Sequence, residues 1–283
     1  MHPLHSLRKF QFYQKLPRYF DPLVRRRLPD LPRPIYLRLF SHASLILDST
    51  TQEHSIRETF CRVISALPRH NAVFWDVGAN IGWYSWLCAA FRPECAIVSF
   101  EPDQKNLECL RRTNEAWNLQ NQIIVSCAVA EKSGSATFYL DEVTGATGTL
   151  EQQEIFTTTH YGAAPRTIET ETISLDDFAR DHQPPSIIKL DIEGTELSAL
   201  RGGARLIERY QPILFLETFC QRREIFSYLT KSGYRFFDSD RRGDVDDQTI
   251  NLIAFVQDRF PSVAKDLLEM GYPIECPHES IRA

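Results

Sequence analysis

No apolar run in this 283-residue chain approaches the roughly eighteen residues of a membrane span. The first residues are basic, but prolines and charges interrupt any apolar stretch there, so no signal peptide is expected. The seven cysteines, Cys61, Cys88, Cys95, Cys109, Cys127, Cys220 and Cys276, include no C-x-x-C pair. Odd in number and scattered, they read as reduced thiols of a cytoplasmic protein rather than as metal ligands or disulfides. The G-x-G-x-x-G fingerprint of a dinucleotide site is missing, as are internal repeats and low-complexity tracts. What remains is ordinary globular composition, 43% hydrophobic and 24% charged. The length suits one large α/β domain with extensions or two small ones, and it can bury a core without metals or disulfides.

Charge is unevenly placed. Residues 1–40 carry nine Lys/Arg against Asp21 and Asp30, a surplus of +7, which leaves −12 for the rest of a chain whose net charge is −5. Six of the sixteen prolines and the aromatics Phe10, Phe12, Tyr13, Tyr19 and Phe20 lie in the same stretch. Such an arm suits nucleic acid or an anionic membrane. The plainer reading, preferred because the body is acidic, is an irregular segment that wraps the domain with its aromatics as anchors. Nucleic acid is therefore not an expected partner. Residues 1–47 are assigned as an arm or cap, and residues 48–283 as the domain.

Thr50 with Glu53 forms a capping-box pattern, and Ile56, Phe60, Val63 and Ile64 give the following helix one apolar face, stopped by Pro68. Residues 72–75, 96–100 and 123–129 read as buried strands. Between them lie a helix over 83–91 and another opening near Pro102, with Leu107, Leu110 and Trp117 on its stripe. This alternation predicts a parallel sheet with right-handed crossovers. Residues 136–140 and 168–175 alternate as half-exposed strands do, a hairpin inserted at about residues 131–175, and the long polar stretch between them, including Thr144–Leu150, reads as mobile, either able to close over substrate or only a flexible connection. Strands then follow at 187–190, 213–216, 234–237 and 250–256, with helices at 195–210, 222–232 and 262–270. Trp83 and Trp86 are expected in the core.

The stretch VFWDVGANIGWYSWL places Asp76, Gly78, Asn80 and Gly82 at the carboxyl end of the first sheet strand, where open parallel sheets bind ligands. Asn80 stands where a pyrophosphate binder needs its second glycine, which counts against NAD. Glu101, 25 residues after Asp76, ends the next strand and can accept both hydroxyls of a ribose. Adenosine without a pyrophosphate, carrying a cationic amino-acid tail near Asp76, describes S-adenosylmethionine. In SIIKLDIEGTELSALRGG, alternation puts Lys189, Asp191 and Glu193 on one face, and PILFLET ends in Glu217. Asp76, Glu101, Asp191 and Glu217 thus outline an acidic pocket at four strand ends, where charges are costly unless paired or functional. The bland alternative is a structural ion pair of Lys189 with Asp191 or Glu217.

The blocks FWDVGANIGWYSWL, SFEPDQKNLECLRRTNEAWNL, AVAEKSGSATFYL, TISLDDF, IIKLDIEGTELSALRGGARLI and PILFLE run in unbroken order from Val73 to Glu217. On them the sequence resembles the FkbM-type S-adenosylmethionine-dependent methyltransferases. The resemblance implies a class I, Rossmann-like, doubly wound α/β fold: a mostly parallel sheet with an antiparallel last strand and a β-hairpin insertion. It implies methyl transfer, most often to a hydroxyl oxygen of a sugar or natural product. It also implies cofactor contacts from Asp76, Gly78, Ala79, Asn80, Gly82, Glu101, Pro102, Ala128 and Asp191. Thr218, Phe219 and Cys220 follow Glu217 where the family often has a histidine, so no histidine base is expected there.

In-line methyl transfer gains most from positioning, and a hydroxyl nucleophile must also lose a proton. Asp191 is the first candidate base and Glu217 the second, with Lys189 in the same catalytic group. Glu193, Thr147, Thr149 and His160 are candidate substrate contacts, although a loop histidine such as His160 is more commonly just solvated. Asp191 and Glu217 also admit Mg²⁺, but no His or Asn is clearly placed beside them and no metal is expected. The expected partner is a small-molecule or glycan hydroxyl acceptor, and a homodimer is admitted. The alternatives are N-methylation, RNA methylation, a binding protein that has lost catalysis and a nicotinamide oxidoreductase.

Overall fold

The run Val73–Val77 is buried at every residue, and so is Ile187–Leu190. Strands buried at every residue are typical of a sheet covered by helices on both faces. The computed structural model describes residues 14, 16–17, 19–47, 53–68, 70–151 and 156–274. In chain order the strands are β1 (Leu23–Arg26), β2 (Ile35–Arg38), β3 (Val73–Val77), β4 (Ala96–Phe100), β5 (Gln122–Val125), β6 (Ala128–Val129), β7 (Gly134–Leu140), β8 (Arg166–Ile173), β9 (Ile187–Leu190), β10 (Ile213–Glu217), β11 (Arg235–Asp238) and β12 (Asn251–Phe255). The helices are α1 (Ala43–Leu47), α2 (His54–Ala66), α3 (Trp83–Phe91), α4 (Gln104–Trp117), α5 (Phe156–Tyr161), α6 (Leu175–Phe178), α7 (Glu196–Gly202), α8 (Ala204–Tyr210), α9 (Arg222–Thr230) and α10 (Pro261–Glu269).

Among the described residues, seven strands form one sheet in the order β11-β12-β10-β9-β3-β4-β5. Pairing is parallel from β10 to β5, and β12 runs antiparallel between β10 and β11. This is the doubly wound α/β sheet with an antiparallel last strand. Alternate residues serve the two layers: Phe74, Ile97, Ile187 and Phe215 pack with α2, α3, α4 and α10, whereas Trp75, Val98, Ile188 and Leu214 pack with α6 to α9. The order reverses between β3 and β9, so their carboxyl ends border the crevice where ligands bind in such sheets. The hairpin β7–β8 and the short β6 make a second, three-stranded sheet beside this edge. No helix among the described residues is long and apolar enough to cross a membrane.

Several expectations are corrected. The run 123–129 is two strands, because Ala128 and Val129 leave the main sheet to pair with Thr172 and Ile173. The helix expected over 195–210 breaks at Gly203. Beside the break the chain passes close to the insertion, where a Cβ on Gly202 would lie 2.4 Å from the Ala130 carbonyl oxygen. Thr50 lies outside the described residues. Glu53 precedes α2 in a left-handed conformation without a capping bond, and its carboxylate instead accepts from the Tyr84 hydroxyl at 2.6 Å.

The segment 19–47 is regular where an irregular wrap was expected. β1 and β2 form a hairpin docked on α4: the Tyr36 amide donates to Thr113 Oγ1 at 2.9 Å and the Trp117 indole to the Pro34 carbonyl at 3.0 Å. Its anchors are the buried aliphatics Leu28, Leu31, Ile35 and Leu37, whereas Tyr19 and Phe20 are exposed. Phe10, Phe12 and Tyr13 lie outside the described residues.

Candidate functional site

The loop after β3 is shaped by contacts that exclude side chains. A Cβ on Gly78, at φ +77°, would fall 1.9 Å from the Asp191 carbonyl oxygen, so only glycine lets the ends of β3 and β9 meet so closely. Gly78 and Ala79 donate to the Phe100 carbonyl at 3.1 and 2.9 Å. Asn80 takes a left-handed φ of +53°, which asparagine tolerates better than most residues. Its amide then donates to Glu101 Oε2 at 2.7 Å. Gly82 serves packing instead: a Cβ there would lie 2.5 Å from Leu110, and it lines neither of the cavities below.

Two adjoining cavities lie at the carboxyl ends of β3, β4 and β9, and both are walled by Gly78, Asn80, Ala146 and Asp191. The first is lined by Glu101, Pro102, Ala128 and Phe138, among others. Glu101 Oε1 accepts the Asp103 amide at 2.8 Å, so each carboxylate oxygen has one backbone donor, and the carboxylate keeps further acceptor capacity. Burial pushes the Glu101 carboxyl up to about 8, with the charge of Asp103 adding to the shift.

The second cavity is lined by Glu53, Asp76, Lys189, Asp191, Glu193 and Glu217, with Trp83 and Tyr84 as aromatic walls. Lys189 Nζ lies 2.6 Å from Asp191 Oδ2 and 4.6 Å from the Tyr84 ring centroid. Burial works against the ammonium, but Asp191, Glu53 and Asp76 outweigh it and hold its pKa above the usual lysine value. Burial opposes the Asp191 charge too, yet Lys189 and a hydrogen bond from Glu217 leave Asp191 ionised. Glu217 and Glu193 go the other way: burial and the Asp191 charge raise both well above the ordinary carboxyl range. The structural ion pair and the acidic pocket are therefore one arrangement. Among the described residues, Asp191, Glu193 and Glu217 form a group that could hold a metal ion, with one oxygen from each within 4.8 Å of the others.

Asp76 sits deeper than expected. Its Oδ2 accepts both the amide and the hydroxyl of Ser85, at 3.0 and 2.6 Å, and it borders the second cavity rather than the first. Thr147 and Thr149 line neither cavity. Thr147 Oγ1 donates to Asp141 at 2.9 Å and Thr149 Oγ1 to the Glu193 carbonyl at 2.9 Å. The loop expected to be mobile is organised by Asp141, which also takes the amides of Val143 and Thr144 at 2.9 and 2.8 Å. His160 is exposed on α5 and lines neither cavity. Both tryptophans lie in the core, as expected, and Trp83 also borders the second cavity.

Sequence reasoning missed His42, Tyr84, Asn106 and Asp141. Tyr84 follows directly on the glycine loop, and Asp141 opens a stretch of threonines and glycines, so both left a trace. His42 comes from the arm and left none.

The Methyltransferase FkbM domain model matches residues 76–236, more than half of the chain. The hexuronic acid methyltransferase AglP of Haloferax volcanii is 26% identical over 133 residues, covering 46% of this chain and 49% of that protein. The chain thus spans about half the length of this curated relative. Among solved structures, the FkbM methyltransferase of Methylobacillus flagellatus aligns at 18% identity over 65% of this chain and 43% of that one, with a TM-score of 0.45. The precorrin-6y C5,15-methyltransferase of Geobacter metallireducens aligns at 13% identity over 73% and 88%, with a TM-score of 0.43. With the family's blocks set around the crevice of a doubly wound sheet, the chain belongs to the FkbM methyltransferase domain family.

Proposed function

We propose that the protein transfers the methyl group of S-adenosylmethionine to a hydroxyl oxygen of a sugar or a related small molecule. The observation that carries this reading is the pair of cavities meeting at Asp191, one suited to a nucleoside and one lined with proton-accepting groups. The first cavity fits the cofactor on two counts. Glu101 stands at its wall with acceptor capacity beyond its backbone donors for the ribose hydroxyls. Asn80 Oδ1 is buried without a hydrogen-bond partner and suits a donor such as the ammonium of the amino-acid tail.

When bound, the cofactor supplies an electrophilic methyl on a sulfonium. The chain's own part is to align the acceptor and to take its proton. Asp191 is ionised and stands on the shared wall, which suits it to accept the acceptor's hydroxyl proton. Lys189, protonated and 2.6 Å away, cannot act as a base; it orients Asp191 and keeps it charged. Glu217, protonated and hydrogen-bonded to Asp191, gives the pair a second proton site. Lys189 already supplies the positive charge that a divalent ion would bring, so this reading needs no metal. Trp83 and Tyr84 offer the aromatic faces on which sugar rings pack. The relative that modifies a hexuronic acid supports a sugar acceptor.

The test is transfer of radiolabelled methyl from S-adenosylmethionine to a panel of neutral sugars, amino sugars and hexuronic acids, followed by mild alkali. An alkali-stable label on oxygen is expected. A label released as methanol would mean a methyl ester, and a label on nitrogen would favour the amine-directed alternative.

A further inference from the structure

Asp21 organises the turn that carries His42: its carboxylate accepts the Phe40 amide at 2.8 Å and the Ser41 amide at 3.3 Å. His42 itself is buried, and its Nδ1 accepts the Arg38 amide at 2.9 Å. That bond fixes the tautomer, because an Nδ1 that accepts leaves the proton on Nε2. Burial lowers the imidazole to about 4 against the pull of Asp21, so the ring is neutral.

The Nε2 of His42 and the Oδ1 of Asn106 are both buried without a hydrogen-bond partner, and the two side chains are brought near each other across Gly145. With its oxygen turned to His42, the Asn106 amide directs its nitrogen the other way. Nδ2 donates to the Gly145 carbonyl at 3.0 Å and lies against Glu101. Gly145 allows this approach, since a Cβ there would stand 3.0 Å from His42 Nε2.

We propose that His42 is a positioning residue of the cofactor site, acting through Asn106 to hold the Glu101 carboxylate ready for the ribose hydroxyls. The inference rests on the S-adenosylmethionine reading. It gives the segment before the family-matched region a part in the site: the turn at 40–42 sets the orientation of an amide on α4, and that amide adds to the two backbone donors on Glu101. A wrongly turned amide would present its oxygen to Glu101 and disfavour the ionised carboxylate. The charged groups that bear on this chain are Asp103 beside Glu101, and Asp21, Arg38 and Asp141 around His42.

The experiment is calorimetric titration of the full chain with S-adenosylhomocysteine at about pH 7 and about pH 9, on either side of the Glu101 midpoint. His42→Ala is expected to weaken binding about tenfold at the lower pH, the usual size of a lost hydrogen bond to a charged group. At the higher pH, where Glu101 is ionised without help, the deficit is expected to shrink to about twofold. His42→Gln, which keeps a donor, restores most of the affinity. Arg33→Ala, which removes another contact of the same segment with α4, leaves it unchanged. Should His42→Ala fail to fold, Asn106→Leu must show the same pH-dependent loss. Parental affinity in both variants, or an equal loss at both pH values, would overturn the inference. Failure of the parent itself to bind S-adenosylhomocysteine would instead remove the cofactor reading, and the inference with it.

Discussion

Gly78 and Asp191 lie on neighbouring strand ends, so close that a single methyl group on Gly78 would fall 1.9 Å from the Asp191 carbonyl oxygen. The two cavities, which the proposed reading gives to cofactor and acceptor, thus meet at a backbone contact.

Gly78→Ala therefore has no room, and its φ of +77° adds strain. The substitution should cost about 2 kcal/mol or more of stability, as overpacking and left-handed backbone each cost roughly 1–3 kcal/mol. It should also remove detectable binding of S-adenosylhomocysteine. Thermal unfolding and calorimetry check the two effects separately, and an unaltered melting temperature would show that the loop relaxes freely.

Asp191→Asn should depress methyl transfer by about 10²–10⁴-fold, the usual contribution of a positioned base. Cofactor affinity should change little. The rate should rise with pH as the proton held by Glu217 is lost, because the pair then accepts a proton more readily, and Glu217→Gln should flatten that rise. Equal losses of turnover and cofactor affinity in Asp191→Asn would move the residue into the cofactor-binding set.

Chelation offers an independent check on the carboxylate cluster. Because Lys189 neutralises Asp191, EDTA should leave turnover unchanged and added Mg²⁺ should not raise it. Chelator-sensitive turnover restored by Mg²⁺ would assign Asp191, Glu193 and Glu217 as its ligands.

Asp141→Ala should loosen the loop that walls both cavities, since the carboxylate gathers the amides of Val143 and Thr144 and the Thr147 hydroxyl. Buried groups left without partners cost about 1–3 kcal/mol. Limited proteolysis should cut within residues 141–149 faster in the variant, and cleavage at the parental rate would contradict this role.

The sheet and the strand-end acids were legible in the sequence because both depend on local pattern. Short apolar runs between helical stripes mark the strands of the main sheet, and Asp76, Glu101, Asp191 and Glu217 each end one. What such a pattern cannot show is where a terminal side chain finds its partner. Asp76 turns to Ser85 on α3, and Glu193 enters the cluster from a left-handed turn at φ +53°. Thr147 and Thr149 looked like substrate contacts because threonine in a glycine-rich loop suggests an exposed hydroxyl, whereas Asp141 and the Glu193 carbonyl take both inward. His42 could not be read at all. Its place depends on a hairpin docking on α4 and on the absence of a side chain at Gly145, both long-range facts.

The most direct test of the account is the binding of S-adenosylhomocysteine to the parent and to Glu101→Ala, followed by calorimetry across pH, with NADH as a control. Glu101 sits at about 8 in the free protein and must be ionised to accept both ribose hydroxyls. Binding then expels a proton below that midpoint, so affinity should rise as pH increases toward about 8 and level off above it. The account predicts micromolar affinity with this pH dependence, lost in Glu101→Ala, and no heat from NADH. Binding that ignores both Glu101 and pH, or a preference for NADH, would contradict it.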